Sequence, residues 1–231
     1  MKTIGLIGGM SWESTVTYYQ RLNRLARERL GGLHSAELLL WSFDFAEIEA
    51  LQAAGDWDAA TARMTAAAAA VARGGADCIV ICTNTMHKMA EAVEAAAGLP
   101  LIHIADATAS AVKAAGVKTP LLLATGYTME QDFYKGRLKT KHGIDVRVPD
   151  AAGRKVVHGI IYDELCQGIV SAPSKARYLE IVQQAEADGA DSVIFGCTEI
   201  GLLVSAGDFD IPAFDTTDLH ARAALDFALG A

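Results

Sequence analysis

The sequence predicts an α/β protein of two halves related by a pseudo-two-fold repeat, each with a parallel sheet, and a cleft at the strand ends. Two observations carry that prediction. Strand-length apolar runs alternate with helix-length segments along the whole chain, the pattern of a parallel sheet crossed by helices. In addition, three segments recur in the same order: GGMSWE (8–13) with TGYTME (125–130), GADCIVICT (75–83) with GADSVIFGC (189–197), and LPLIH (99–103) with IPAFD (211–215). In the middle pair, Thr83 stands where Cys197 stands. Both follow a buried strand at its carboxyl end, where open α/β sheets bind ligands.

The first strand covers residues 3–7 and ends in Gly8-Gly9. A helix follows over 11–30, stopped by Gly31-Gly32. Residues 36–43 (AELLLWSF) read as a buried strand, and 46–54 as a helical turn. Asp56 or Asp58 can cap a long helix reaching Arg73, whose alanine run at 66–70 is a strong helix former. A strand over 78–82, a helix over 85–97 and a short strand after Pro100 complete the first half.

In the second half, residues 120–124 form a strand and 125–130 open a helix, with Thr128 and Gln131 as a capping box. A strand is expected over 144–148, helices over 156–168 and 174–188, and a strand over 192–195. The segment 211–231 matches the end of the first half, so it is expected to cross back and complete that domain. The expected domains are therefore residues 1–102 with 208–231, and residues 103–207.

Composition narrows the function classes. The chain has 231 residues, 52% hydrophobic and 21% charged, which suits a compact α/β protein. Its 20 Lys and Arg against 28 Asp and Glu give a net charge of −8, with no basic stripe to bind nucleic acid or an anionic membrane. No apolar run approaches the roughly 20 residues a spanning helix needs, and MKTIGLIGGM is too short an apolar start for a signal peptide. Cys78, Cys82, Cys166 and Cys197 show neither C-x-x-C nor zinc-site spacing, so a reducing cytoplasm and no metal are expected. The Gly8-Gly9 turn lacks the G-x-G-x-x-G dinucleotide pattern, and neither a P-loop nor a PLP lysine motif stands out. No cofactor is expected.

The candidate site residues lie at the strand ends. A helix starting just after Cys197 would point its N–H groups at the thiol and favour the thiolate. A buried free cysteine is also a common small core residue, but duplication of this position at Thr83 favours function. Thr83-Asn84-Thr85 and Thr198-Glu199 offer hydroxyls, an amide and backbone N–H groups that can bind a carboxylate, or simply cap helices. Met10 with Ser11, and Thr125 with Thr128, occupy the matching turns of the two halves. Strand alternation turns Cys82 away from Thr83, so it reads as a bystander. His87 and His103 read as supporting rather than contacting residues.

Five segments carry a family resemblance: IGGMSWEST (7–15), CTNTMHK (82–88), HIADAT (103–108), YTMEQDFY (127–134) and FGCTEIGLL (195–203). Over essentially the full chain they resemble the aspartate/glutamate racemase superfamily, nearest its cofactor-independent amino-acid racemase branch. The resemblance implies two Rossmann-like domains facing each other across the cleft, a homodimer, and an amino-acid substrate handled without PLP or metal. It also implies one cysteine per domain, acting on opposite faces of the substrate α-carbon. The family's first cysteine precedes Asn-Thr; here Asn84-Thr85 places it at Thr83. The second falls on Cys197, which in the family acts on the L enantiomer.

A threonine hydroxyl is too weak an acid to provide a resting base, so the expectation is an aspartate/glutamate racemase biased towards L-substrates. Cys197 would be the thiolate base, with Thr83 on the opposite face. A lysine that some aspartate racemases use to anchor the side chain falls on Cys166, and Gln52 is the nearest polar residue to an early arginine of other members. A broader amino-acid range is therefore compatible with the sequence. Glu199, where glutamate racemases carry His, would suit the substrate ammonium. The competing readings are a single-cysteine decarboxylase or isomerase of the same superfamily, and a non-catalytic small-molecule binding protein.

Overall fold

Two three-stranded parallel sheets carry the fold, one in each of two units. The structure, a computed structural model, describes residues 1–230. The first unit runs from Met1 to His103 and takes up the chain again from His220; the second is Ile104–Leu219.

In the first unit the order is β1 (Ile4–Gly8), α1 (Trp12–Leu30), β2 (Leu38–Ser42), α2 (Phe45–Ala54), α3 (Trp57–Arg73) and β3 (Cys78–Ile81). A 3-10 helix, Thr85–Met89, then leads into α4 (Ala90–Ala97). The sheet order is β2-β1-β3, and Leu101 adds a single bridge beside Ile79. Strand alternation divides the core into two faces. Ile7, Ile79 and Ile81 pack with Met64, Ala67, Ala68 and Val71 of α3. Ile4, Leu6, Val80 and Cys82 pack with Tyr18, Leu22 and Leu25 of α1 and with Ala221, Ala224 and Leu225 near the C-terminus. Gly5 lets α3 lie close to the sheet: a Cβ there would come within 2.4 Å of Val71 Cγ1.

The second unit contains α5 (Ile104–Ala115), β4 (Pro120–Leu123), α6 (Gly126–Glu130), α7 (Asp132–His142), α8 (Ala151–Asp163), a 3-10 turn at Leu165–Gln167 and α9 (Ala172–Ala187). After these come β5 (Ser192–Phe195), α10 (Ile200–Leu203), a 3-10 turn at Ala206–Asp208, β6 (Ala213–Asp215) and the start of α11 (Thr216–Leu229), which belongs to the first unit from His220 onward. The sheet order is β4-β5-β6, with Arg147 bridging Leu121 on the far side of β4. Each sheet thus has the same plan, with β4, β5 and β6 standing where β1, β3 and the Leu101 segment stand. The repeated Gly-Ala-Asp turn has a structural reason in both. Gly75 and Gly189 take positive φ (100° and 93°), which glycine alone adopts readily. The aspartate then reaches back to the residue entering the neighbouring strand: Asp77 accepts from the Thr3 N–H at 2.7 Å, and Asp191 from the Thr119 N–H at 3.0 Å.

Several expectations need correction. The segment 208–219 stays with the second unit, because β6 is hydrogen-bonded to β5 with Ile194 beside Phe214; only the chain from His220 onward joins the first. The boundary expected at 102/103 falls after His103. β2 is an exposed edge strand rather than a buried one, with Leu40 50% and Trp41 41% exposed. Residues 144–148 contribute one bridge, not a strand. The cap at 125–130 is Thr125, whose side chain accepts from the Thr128 N–H, while the extended Gln131 separates α6 from α7. α8 starts at Ala151 instead of 156 because the Asp150 carboxylate accepts from the Gly153 N–H at 2.7 Å.

Candidate active site

In the first unit the candidate residues follow β1 and β3. A Cβ on Gly8 would meet the Thr15 side chain within 2.5 Å, and Gly9 takes φ +81° directly against the Phe43 backbone. Thr15 locks this turn: its hydroxyl accepts from the Gly9 N–H at 2.8 Å and donates to the Ser11 carbonyl at 3.0 Å. Met10, the next residue after Gly9, is buried in the cluster that holds Met86. Gln52, on α2, is buried and donates through Nε2 to the Met86 Sδ at 3.0 Å.

Thr83 is partly buried, and Asn84 and Thr85 are buried at the start of the 3-10 helix. His87 holds the Thr83 backbone, donating from Nδ1 to its carbonyl at 2.8 Å. His103 lies 4.6 Å and His220 5.5 Å from the His87 ring, centroid to centroid. His220 donates from Nε2 to the Ile102 carbonyl and accepts the Tyr18 hydroxyl at Nδ1, at 2.6 and 2.8 Å. Burial outweighs the Ile102 bond and brings its pKa down to about 4, so this histidine is neutral. Cys82 is fully buried among Ile4, Leu6 and Val80, and burial drives its thiol far above the ordinary range.

In the second unit, Leu123 and Phe195 are in register, so Thr125 and Cys197 leave β4 and β5 at matching positions. Gly196 is required by packing: a Cβ there would lie 2.5 Å from Leu122 Cδ1 and 3.1 Å from the Ala124 Cβ. Thr125 and Thr128 hydroxyls are 3.3 Å apart, and both residues are buried. The Cys197 Sγ donates to Glu199 Oε2 at 2.9 Å, and the Thr198 hydroxyl donates to the same oxygen at 2.8 Å. All three residues are buried.

This changes the chemistry expected of Cys197. The helix after it, α10, has only four residues and begins at Ile200, so it offers little dipole. Burial, then the Glu199 charge and the nearby Cys166, push the Cys197 thiol well above its ordinary value. The resting form is the thiol. The expected resting thiolate is not what these surroundings favour, and Glu199 is first a partner of Cys197 rather than an open ammonium site. Among the described residues, no group of three or more His, Cys, Asp or Glu side chains is arranged to hold a metal ion, and no helix is long and apolar enough to cross a membrane.

The model of the Asp/Glu/hydantoin racemase family matches residues 7–224. This chain belongs to the Asp/Glu/hydantoin racemase family. A candidate Asp/Glu racemase from Yersinia pestis has 55% identity and a TM-score of 0.92, with 99% of this chain and 100% of that one covered. An aspartate racemase homologue from Pyrococcus horikoshii has 33% identity and a TM-score of 0.86, over 99% of this chain and 100% of that one. At 21% identity, a Picrophilus torridus aspartate racemase shares the fold, with a TM-score of 0.76 over 99% and 94%. The racemase family is an isomerase family, and this α/β structure with two parallel sheets is its architecture.

Met10, Gln52, Thr83, Asn84 and Thr85 lie in the first unit and Thr125, Thr128, Cys197, Thr198 and Glu199 in the second, all after strands except Gln52. His158, outside every motif above, accepts a hydrogen bond from Gly126 across 32 positions. No local spacing links those two residues.

Proposed function

We propose that this protein is a PLP-independent amino-acid racemase acting on aspartate and glutamate, with Cys197 as the base for L-substrate and Thr83 on the opposite face. The observation that carries the proposal is the Cys197 thiol held on the Glu199 carboxylate, in a repeat whose other copy has only a hydroxyl. The names of the relatives from Yersinia pestis and Pyrococcus horikoshii point to the same substrates.

The chemistry follows from proton balance. Cys197 passes its proton to Glu199 and becomes a thiolate, a step assisted when the substrate ammonium brings positive charge to the site. The thiolate then takes the α-proton of the L-amino acid, and the electron pair left behind spreads into the α-carboxylate. The hydroxyls of Thr125, Thr128 and Thr198 and the Asn84-Thr85 segment supply donors for that growing charge. Reprotonation on the other face comes from the Thr83 hydroxyl and gives the D-product; water then replenishes the Thr83 proton and takes the one held by Glu199, which restores the starting state. Return of the proton from Cys197 instead regenerates L-substrate.

Met10 and Gln52 line the substrate in this scheme. Cys166, half-buried where a side-chain anchor would stand, leaves the range open to other amino acids. We expect the protein to act as a homodimer in the cytoplasm.

Incubation with L-aspartate or L-glutamate, without added PLP or metal, should yield the D enantiomer on chiral separation. Cys197→Ser should abolish it. The alternative, a single-cysteine decarboxylase or isomerase, is favoured by the same one-thiol asymmetry and would release carbon dioxide or a structural isomer instead. A non-catalytic binding protein would show no turnover, and Cys197→Ser would leave ligand affinity unchanged.

A further inference from the structure

His158 lies on α8, and none of the motifs that define the family site includes it. Its Nδ1 accepts the backbone N–H of Gly126 at 3.1 Å. Gly126 is the first residue after Thr125, and Thr125 caps α6 by accepting the Thr128 N–H at 3.4 Å. A ring nitrogen that accepts carries no proton, so the tautomer is fixed with hydrogen on Nε2. Two aromatic rings hold the imidazole: Tyr127 meets it edge-on at 6.0 Å, and Tyr162 lies tilted at 4.8 Å.

The same imidazole lines a cavity of about 440 Å³ shared with Tyr127, Glu130, Arg154 and Lys155, which gives water a route to the ring. From α6 it faces Tyr127 and Glu130; on α8 its charged or titratable neighbours are Arg154, Lys155, Tyr162 and Asp163. Glu130 is paired with Arg154 at 2.9 Å. Burial lowers the His158 pKa, against the opposing pull of Asp163 and Glu130, so the accepting form is the one present at neutral pH.

We propose that His158 is a positioning residue for substrate recognition: neutral, it holds the Gly126 amide and with it the Thr125–Thr128 turn, and protonation at Nδ1 releases that turn. A protonated Nδ1 would set a donor against the Gly126 N–H, and the hydrogen bond cannot survive. The inference rests on the reading of Thr125 and Thr128 as substrate-binding residues. Its consequence is a substrate KM that rises on the acid side of neutrality while kcat changes little. The expected rise is roughly three- to tenfold, the size of one hydrogen bond to a neutral acceptor.

Two substitutions separate this role from simple packing. His158→Asn keeps an acceptor near the Nδ1 position and cannot be protonated, so KM should stay low and lose the acid rise that wild type shows. His158→Phe keeps the ring and removes the acceptor, so KM should be high at every pH. A second readout needs no turnover: the Gly126 amide resonance of the wild-type protein should titrate together with the His158 ring, below the ordinary histidine range. In the Asn variant it should not move. A wild-type protein without turnover but with a titrating Gly126 amide would overturn the racemase reading alone. A Gly126 amide that ignores the His158 titration, or identical KM–pH profiles in wild type and His158→Asn, would overturn the role proposed for His158.

Discussion

The Cys197 Sγ sits 2.9 Å from Glu199 Oε2, and the Thr198 hydroxyl donates to the same oxygen. A thiol beside a carboxylate in a buried site stays protonated until its partner can take the proton. Glu199 therefore holds Cys197 in its thiol form, and in the proposed mechanism it also takes the proton when the thiolate is needed.

Replacing Glu199 separates these two effects. In Glu199→Gln the charge that raises the Cys197 pKa is gone, so the thiolate fraction at pH 8 should increase about tenfold for each pKa unit recovered. Alkylation by iodoacetamide should speed up accordingly. Turnover of L-aspartate should nevertheless fall by about a hundredfold, because the proton acceptor is lost. Slower or unchanged alkylation would show that Glu199 does not control the thiol.

Thr83 tests the asymmetry from the other side. Thr83→Cys restores a thiol at the matched strand end, and α-proton exchange from D-aspartate should increase by about a hundredfold or more. Exchange from L-aspartate should change far less. Nuclear magnetic resonance in deuterium oxide reads both rates directly.

Cys82 neighbours Thr83 in the chain but packs with Ile4, Leu6 and Val80. Cys82→Ala should leave turnover unchanged and lower the unfolding free energy by about 1 kcal/mol through the small cavity it opens. Urea denaturation and chiral product analysis of the same preparation check both halves of that statement.

His220 links folding to pH. Its folded pKa of about 4 lies below the ordinary value of 6.5, so the unfolded chain binds the extra proton. The stability contributed by the neutral ring is complete above pH 6.5 and is lost as pH falls towards 4, roughly 3 kcal/mol in all. In His220→Phe that loss should be missing. The gap in unfolding free energy between wild type and variant should narrow by about 2 to 3 kcal/mol between pH 7.5 and 4.5 in urea melts. A constant gap would contradict a neutral buried His220.

The repeat makes much of the architecture legible in the sequence. GADCIVICT and GADSVIFGC locate β3 and β5, because a positive-φ glycine turn followed by a buried apolar run is a local signal. What escaped depends on distant neighbours. The apolar run Leu38–Trp41 suits an exposed edge strand as well as a buried central one, so the exposure of β2 is not readable from it. β6 could be recognised as a repeat of the Leu101 segment, but its membership of the second sheet follows from hydrogen bonds to β5. Cys197 was readable as a strand-end thiol. Its protonation was not, because four-residue α10 and the folding of Glu199 back onto Sγ decide it.

The most direct test is deuterium incorporation at the α-carbon, measured separately from L- and D-aspartate in deuterium oxide. Racemisation of a single centre has an equilibrium constant of unity, so an L bias shows in proton exchange rather than in the ratio of net kcat/KM values. With a thiol at Cys197 and only a hydroxyl at the matched position Thr83, L-aspartate should exchange its α-proton much faster than it racemises, and much faster than D-aspartate exchanges. Equal exchange rates from the two enantiomers would contradict the assignment of Cys197 as base and Thr83 as its weaker counterpart.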